Sequence, residues 1–117
     1  MKIGMGIGGG TVDEMVAQAR QTVDDGFSTA WTANIFGLDA ITALAIVGRE
    51  VPGLHVGTAV VPTYPRHPHA MAQQAITAWD ATGGRFTLGI GLSHQIVIEN
   101  MFGLSFDKPA AHMREYL

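Results

Sequence analysis

At 117 residues, 47% of them hydrophobic, the chain is long enough for one globular domain spanning residues 1–117 and too apolar to be disordered. A formal net charge of −3, with lysines and arginines scattered singly, argues against a nucleic-acid partner, and the lack of cysteine excludes a disulfide framework or a thiolate metal site. No apolar run approaches about 18 residues and no signal peptide is recognisable, so the expected protein is soluble and cytoplasmic, without a membrane partner.

The first part of the chain predicts a strand, a helix and a second strand. Lys2 to Ile7 is a short strand candidate, and Thr11 with Glu14 three residues later has the capping-box pattern that starts a helix. The apolar residues on one face of this helix are Val12, Val16, Ala19 and Val23. The helix is expected to end near Asp25, since the glycine that follows suits a left-handed position, and residues 27–32 have the composition of strand two.

Two further helix and strand pairs follow. Asp39 is a suitable N-cap for helix two, which runs through Val47 and closes before residues 52–53. Strand three is an apolar run expected to be buried on both faces, with Val56, Thr58, Val60 and Val61. Pro68 fits the first turn of helix three, and residues 85–91 form strand four.

Strands that alternate with helices through short turns imply an α/β fold with a parallel sheet. The tail adds a short turn at residues 99–102 and, at 109–117, the start of a fourth helix without a stop signal. Two architectures remain possible: a small open sheet, or the first half of a (β/α)8 barrel, for which about 250 residues is usual. In either case the rigid proline loop at residues 62–68 lies at the carboxyl end of strand three, where such folds bind ligands.

A glycine pattern near the start of the chain imitates a dinucleotide fingerprint. Gly4, Gly6 and Gly9 match its spacing, but only two residues precede them and the acidic residue expected after strand two is missing. We favour a different interpretation, in which the glycines at 4, 6 and 8 share one face of a strand and leave open space at the mouth of a barrel.

The strings GTAVVPTYPRHP, GGRFTLGIGLSH and ENMFGLSF, followed by HMREYL, resemble the luciferase-like family and its branch that uses the deazaflavin coenzyme F420. The resemblance runs along residues 1–117 and implies a (β/α)8 barrel of which this chain supplies the first four βα units. It implies an oxidoreductase in which F420, or FMN as the alternative, exchanges hydride with a small organic substrate. The rival hypothesis is a half-barrel that keeps the scaffold and lacks catalysis.

The resemblance also implies a cofactor site at the carboxyl ends of the strands. The ring is expected against a bulge in strand three that often contains a non-proline cis peptide, which here falls at Ala59–Val60; a plain buried strand is the alternative. Relatives often carry an acidic residue where this chain has Asn34, which could still reach the edge of the ring. The cofactor-binding residues implied are Asn34, Thr58, Ala59, Val60, Arg66, Gly91 and Ser93.

His94 follows strand four, where several relatives carry glutamate, and is the expected catalytic residue. A histidine side chain is of a type that can donate or accept a proton during hydride transfer, although a lone loop histidine can also be a surface or packing residue. Arg66 could hold a cofactor or substrate anion, or could instead tie its loop to neighbouring carbonyls and cap helix three. The remaining histidines have no spacing for a metal site and are expected to be structural or exposed; they are His55, His69 and His112, with His67 beginning helix three.

Four parallel strands with helices on one side would leave the other face open. We expect that face to carry apolar residues such as Val56, Val60 and Leu88, and the sheet to have two unpaired edges. Two copies related by a twofold axis could then close eight strands, which predicts a homodimer. The rival outcome is an open sheet over which residues 109–117 fold.

Overall fold

A parallel sheet covered on one face by helices is the framework of the molecule, in a computed structural model that describes residues 3–117. The predicted strand residue Lys2 therefore lies outside the described residues. The elements are β1 (Met5–Gly6), α1 (Val12–Asp24), β2 (Thr29–Thr32), α2 (Ala40–Glu50), β3 (His55–Thr58), β4 (Val61–Pro62), α3 (Pro68–Ala81), β5 (Phe86–Thr87), β6 (Ile90–Gly91), a π-helix (Val97–Met101) and α4 (Pro109–Tyr116). Strands pair in parallel in the order β1-β2-β3-β5, and β4 pairs in parallel with β6, which confirms the predicted α/β class.

Local capping determines where the helices begin and end. The Glu14 backbone N–H donates to Thr11 Oγ1 at 3.2 Å, and Thr11 N–H donates to Glu14 Oε2 at 3.3 Å, so the predicted capping box is present. Asp39 Oδ2 accepts from a backbone N–H of the first turn of α2 at 2.9 Å. Gly26 follows α1 with φ +86°, and Pro68 is the first residue of α3, both as predicted.

The core lies between the helices and one face of the sheet. Ala30, Val56 and Phe86 stand in register on neighbouring strands, and all three are buried. The buried residues of α1 are Met15, Val16, Ala19 and Thr22. Val23, predicted to be on that face, is 41% exposed. It lies within about 20° of Val16 around the helix, as predicted, but it belongs to the last turn of α1, beyond the residues of this helix that pack on the core.

The opposite face of the sheet carries one tryptophan among small and polar residues. Trp31, Gly57 and Thr87 stand in register there, one residue along from the buried row. A Cβ added at Gly57 would overlap the Trp31 ring, so the glycine lets the indole lie across β3. His55 Nε2 lies 2.8 Å from Thr87 Oγ1 on this same face.

The expectation of an apolar open face is therefore wrong for two of its three named residues. Val56 is fully buried on the helix side, because strand residues alternate between faces and the register aligns Val56 with Ala30. Leu88 is half-buried and packs against the same core.

The strands predicted as the third and fourth are each interrupted: strand three consists of β3 and β4, and strand four consists of β5 and β6. The Ala59–Val60 peptide is cis, as the resemblance implied, and Val60 is 41% exposed rather than buried, because β3 ends before it and β4 begins after it. Strand four, predicted to be continuous over residues 85–91, is split into β5 and β6. Thr58 Oγ1 links the two interruptions, since it accepts from Gly89 N–H and donates to the Gly89 carbonyl, each at 2.8 Å.

The end of the chain forms the π-helix and then α4, near the predicted positions of the short turn and the fourth helix. None of the helices within residues 3–117 has the length and apolar character needed to cross a bilayer.

Candidate functional site

A cleft of about 430 Å³ opens at the carboxyl ends of strands two, three and four. Five of the predicted site residues line it: Asn34, Ala59, Val60, Ser93 and His94. The rest of its lining is apolar and consists of Ala33, Ile35, Phe36, Pro62, Pro65, Val97 and Phe102. Pro62 and Pro65 belong to the proline loop that was expected at a ligand-binding end, whereas the other five residues were not predicted. The large apolar pair Ile35 and Phe36 directly after a strand, 68% and 64% exposed, is a signal that could have indicated a binding surface.

Gly91 and Thr58 do not line the cleft themselves, but each adjoins a residue that does. A Cβ added at Gly91 would be 2.6 Å from Val60 Cγ2, so the glycine is what allows the Val60 side chain to take its place in the cleft wall. Thr58 is 1% exposed, and its hydroxyl is occupied by the two bonds to Gly89. The structure therefore makes Thr58 a support of the strand interruption and does not place its side chain in the cleft.

Asn34 joins three parts of the site. Its backbone N–H donates to the Val60 carbonyl at 3.1 Å, which ties the loop after β2 to the interruption of strand three. Its Oδ1 accepts from the Ala40 backbone N–H at 3.0 Å, at the start of α2. Because the carboxamide oxygen is occupied in this way, the Nδ2 group is the end that Asn34 can offer to a ligand.

Arg66 lies outside the main cleft and lines an adjoining one of about 400 Å³. Its guanidinium forms an ion pair with Asp39 and lies 3.4 Å from Asn34 Oδ1. The loop is thus tied through a carboxylate and an amide oxygen, where neighbouring backbone carbonyls were expected. Helix three is capped by His67, whose Nδ1 accepts from a backbone N–H at 3.2 Å, and not by Arg66.

Ser93 and His94 form the rim of the cleft opposite Asn34. Ser93 has φ +64°, in the left-handed region that side chains other than glycine seldom adopt. The His94 carbonyl accepts from two backbone N–H groups that begin the π-helix, at 3.0 Å each. The exposed imidazole of His94 makes no hydrogen bond to the rest of residues 3–117, so it can bond to a ligand.

The glycine-rich loop after β1 is not arranged as a phosphate site. Gly8 N–H donates to Gln18 Oε1 at 3.0 Å, and Gly10 N–H donates to Glu14 Oε2 at 2.7 Å, so a carboxylate lies where a dinucleotide phosphate would bind. Gly6 and Gly8 face open space, as we favoured, whereas a Cβ at Gly4 would overlap Thr29 and Trp31 side chains. Within residues 3–117, no group of three or more His, Cys, Asp or Glu could hold a metal ion.

Aromatic residues of α4 hold the loop between β4 and α3. His112 Nε2 lies 3.0 Å from Thr63 Oγ1, and the Tyr116 hydroxyl donates to the Arg66 carbonyl at 2.9 Å. The ring of Tyr64 stacks on His112 with centroids 3.9 Å apart and planes within 8°. Burial raises the pKa of Tyr116 above its ordinary value, while the Arg66 charge offsets part of that rise, so the hydroxyl keeps its proton at neutral pH.

The comparisons with known proteins agree with this geometry. The profile of a family described as luciferase-like monooxygenase matches residues 2–117. A Mycobacterium tuberculosis protein named "Putative coenzyme F420-dependent oxidoreductase" is 41% identical over 104 residues, which cover 89% of this chain and 29% of that protein. The chain thus spans less than a third of this relative.

Solved structures show the same fold. The coenzyme F420-dependent tetrahydromethanopterin reductase of Methanopyrus kandleri superposes with a TM-score of 0.74 and 22% identity over 90% of this chain and 30% of its own. The oxygenating constituent of 3,6-diketocamphane monooxygenase of Pseudomonas putida, in complex with FMN, gives 0.84 and 15% identity over 99% of this chain and 37% of its own. The predicted architecture, four βα units that make up half of a (β/α)8 barrel, is confirmed.

Proposed function

Because the chain belongs to the luciferase-like monooxygenase family, we propose that its cleft binds the ring of coenzyme F420, with FMN as the alternative, in an oxidoreductase acting on a small organic substrate. When bound, the cofactor supplies hydride-transfer chemistry. The observation that carries the proposal is the cleft itself, which is built on the Ala59–Val60 interruption with Gly91 beside it and His94 at its rim.

The cleft suits a planar ring with an apolar body and polar edges. Most of its lining is aliphatic, aromatic or proline, and none of the described residues that line it is Asp, Glu, Lys or Arg. The polar groups stand at the edges, as the carboxamide of Asn34, the hydroxyl of Ser93 and the imidazole of His94. Such a site would hold a neutral aromatic ring through its faces and orient it through a few hydrogen bonds.

His94 is the residue that would move a proton. It is exposed at the cleft rim, and an imidazole is a side chain that can both donate and accept a proton. A proton held at the imidazole could be passed to a substrate as hydride is delivered to it, or taken up in the reverse direction.

The relatives support F420 over FMN. The mycobacterial protein that is 41% identical carries F420 in its name, whereas the FMN-bound monooxygenase is similar only in fold. We therefore rank F420 first.

A fluorescence titration with F420, repeated with FMN, tests the proposal. We expect saturable quenching, with F420 binding the tighter of the two. The comparison variant is Gly91→Val, whose side chain should displace Val60 from its place in the cleft wall and weaken binding at least about tenfold. Absence of saturable binding to either cofactor would favour the rival hypothesis, a half-barrel that keeps the scaffold only.

We also propose that a second copy of the chain completes the eight-stranded barrel. Among residues 3–117, β1 and β5 are the unpaired edges of the four-stranded sheet, and an apolar groove of about 260 Å³ lies beside β5. Ile76 and Trp79 border this groove with 67% and 55% of their surfaces exposed. A second copy would cover these side chains and pair both edges in one twofold arrangement.

A further inference from the structure

The loop from Thr63 to Arg66 is held at both ends by α4. Thr63, at the first end, is fully buried, and its hydroxyl lies 3.0 Å from His112 Nε2. Arg66, at the other end, accepts from the Tyr116 hydroxyl through its carbonyl at 2.9 Å. His112 and Tyr116 are four residues apart and share one helix face, so a single rigid element holds both ends of the loop.

Arg66 connects this loop to the wall of the cleft. Its guanidinium is paired with Asp39 and lies 3.4 Å from the side-chain oxygen of Asn34. The backbone of Asn34 in turn donates to the Val60 carbonyl. A continuous series of polar contacts therefore runs from α4 to the cleft.

We propose that His112 and Tyr116 are positioning residues that fix Arg66, and through it Asn34, at the wall of the cleft. Neither side chain lines the cleft, so both would act through the loop. No side chain of α4 is fully buried, and Tyr116 is half-buried against the core, so polar and stacking contacts contribute to holding this helix in place. The role in cofactor binding rests on the function proposed above, whereas the effect on Asn34 does not.

Two tyrosine variants with the same chemical change separate this role from general packing. Tyr116→Phe removes the hydroxyl that bonds to Arg66, whereas Tyr64→Phe removes a buried hydroxyl for which residues 3–117 supply no hydrogen-bond partner. Amide hydrogen exchange of Asn34 and Arg66 is measured by NMR in both, with F420 affinity measured by fluorescence. We expect Tyr116→Phe to speed exchange at both amides about fivefold and to weaken F420 binding by a similar factor, and Tyr64→Phe to change neither.

A second pair of variants tests the end of the loop at Thr63. Thr63→Val keeps the side-chain shape but removes the bond to His112, and Thr63→Ser keeps the hydroxyl. Faster exchange at Asn34 in the valine variant, restored in the serine variant, supports positioning. The amide of Ala19 in α1 reports global opening, so equal acceleration there would overturn the proposal, as would unchanged exchange at Asn34 in both Tyr116→Phe and Thr63→Val. If exchange responds as expected but wild-type chain does not bind F420, the positioning role stands and the proposed function fails.

Discussion

Two glycines of strand four, Gly89 and Gly91, are expected to have different roles, the first in stability and the second in cofactor binding. A Cβ at Gly89 would overlap the Thr58 carbonyl oxygen, which is backbone, whereas one at Gly91 would meet only the exposed side chain of Val60. We expect Gly89→Ala to lower the free energy of unfolding by about 3 kcal/mol, because neither backbone segment can move aside. Gly91→Val should cost far less stability and yet weaken F420 binding at least about tenfold.

Urea unfolding and F420 titration of both variants check this prediction. Full cofactor affinity in Gly91→Val would mean that the ring binds elsewhere, and a stable Gly89→Ala protein would contradict the close strand contact.

A second residue-scale prediction concerns His94. In the assembled barrel, His94→Ala should lower turnover about a hundredfold or more while changing F420 affinity less, as expected for a proton donor that does not itself hold the ring. The measurement is the pH–rate profile of wild type and variant. His69→Ala, at an exposed position on α3, is the control. An unchanged profile in His94→Ala would remove this residue from the mechanism.

At the scale of elements, α4 should make stability depend on alkaline pH. Burial raises the pKa of Tyr116, with partial offset by Arg66, so the folded state keeps the proton at pH values where the unfolded chain, with a pKa of about 10, loses it. The contribution of protonated Tyr116 to the free energy of unfolding is therefore complete below about pH 10, and it is lost as the pH rises through the raised pKa of the folded state. We expect a steeper loss of stability above pH 10 in wild type than in Tyr116→Phe, measured by urea unfolding from pH 8 to 11.

The helices were predictable because their signals are local. Thr11, Asp39 and Pro68 each act within one turn of the helix that they begin, so a short stretch of sequence contains the whole interaction. The interruption at Ala59–Val60 was implied by family resemblance alone, since a β-branched run reads as one strand. The matching break before Gly89 was not predicted, because it depends on the Thr58 hydroxyl, 31 residues away in sequence.

The candidate site was predictable to a similar degree. Residues that directly follow strands, such as Asn34 and His94, fall in the cleft because parallel strands end at one edge of a sheet. The ion pair of Arg66 with Asp39 joins loops 27 residues apart, and no short-range pattern indicates it. The same holds for the contact of His112: this residue was expected to be structural or exposed, and it is structural, but no short-range pattern indicates that it holds the loop at Thr63.

For the whole molecule, the two unpaired edges predict self-association. We expect sedimentation equilibrium to give twice the chain mass of 12.4 kDa at micromolar concentration. Trp79→Arg, on the groove beside β5, should shift the equilibrium to monomer, whereas Ile46→Arg, at a half-exposed position on the central helix α2, should not. A folded wild-type monomer at all concentrations would contradict closure and favour the open sheet.

The inner face of the sheet offers less apolar surface for such closure than the sequence pattern predicted. Because that face carries His55 and Thr87, with Trp31 as its one large apolar residue, strand pairing and the groove around Trp79 would supply more of the stabilisation of a dimer.

The position of Trp31 across Gly57 also gives the protein a built-in optical reporter. The chain has two tryptophans, and Trp79 lies on α3 outside the sheet, so in a Trp79→Phe background all indole emission comes from the inner face. Closing the barrel would remove water from around that indole and move its emission maximum to shorter wavelength. Dilution through the concentration range of assembly would reverse the shift. The emission maximum of Trp31 would therefore report the association of the two copies in unlabelled protein.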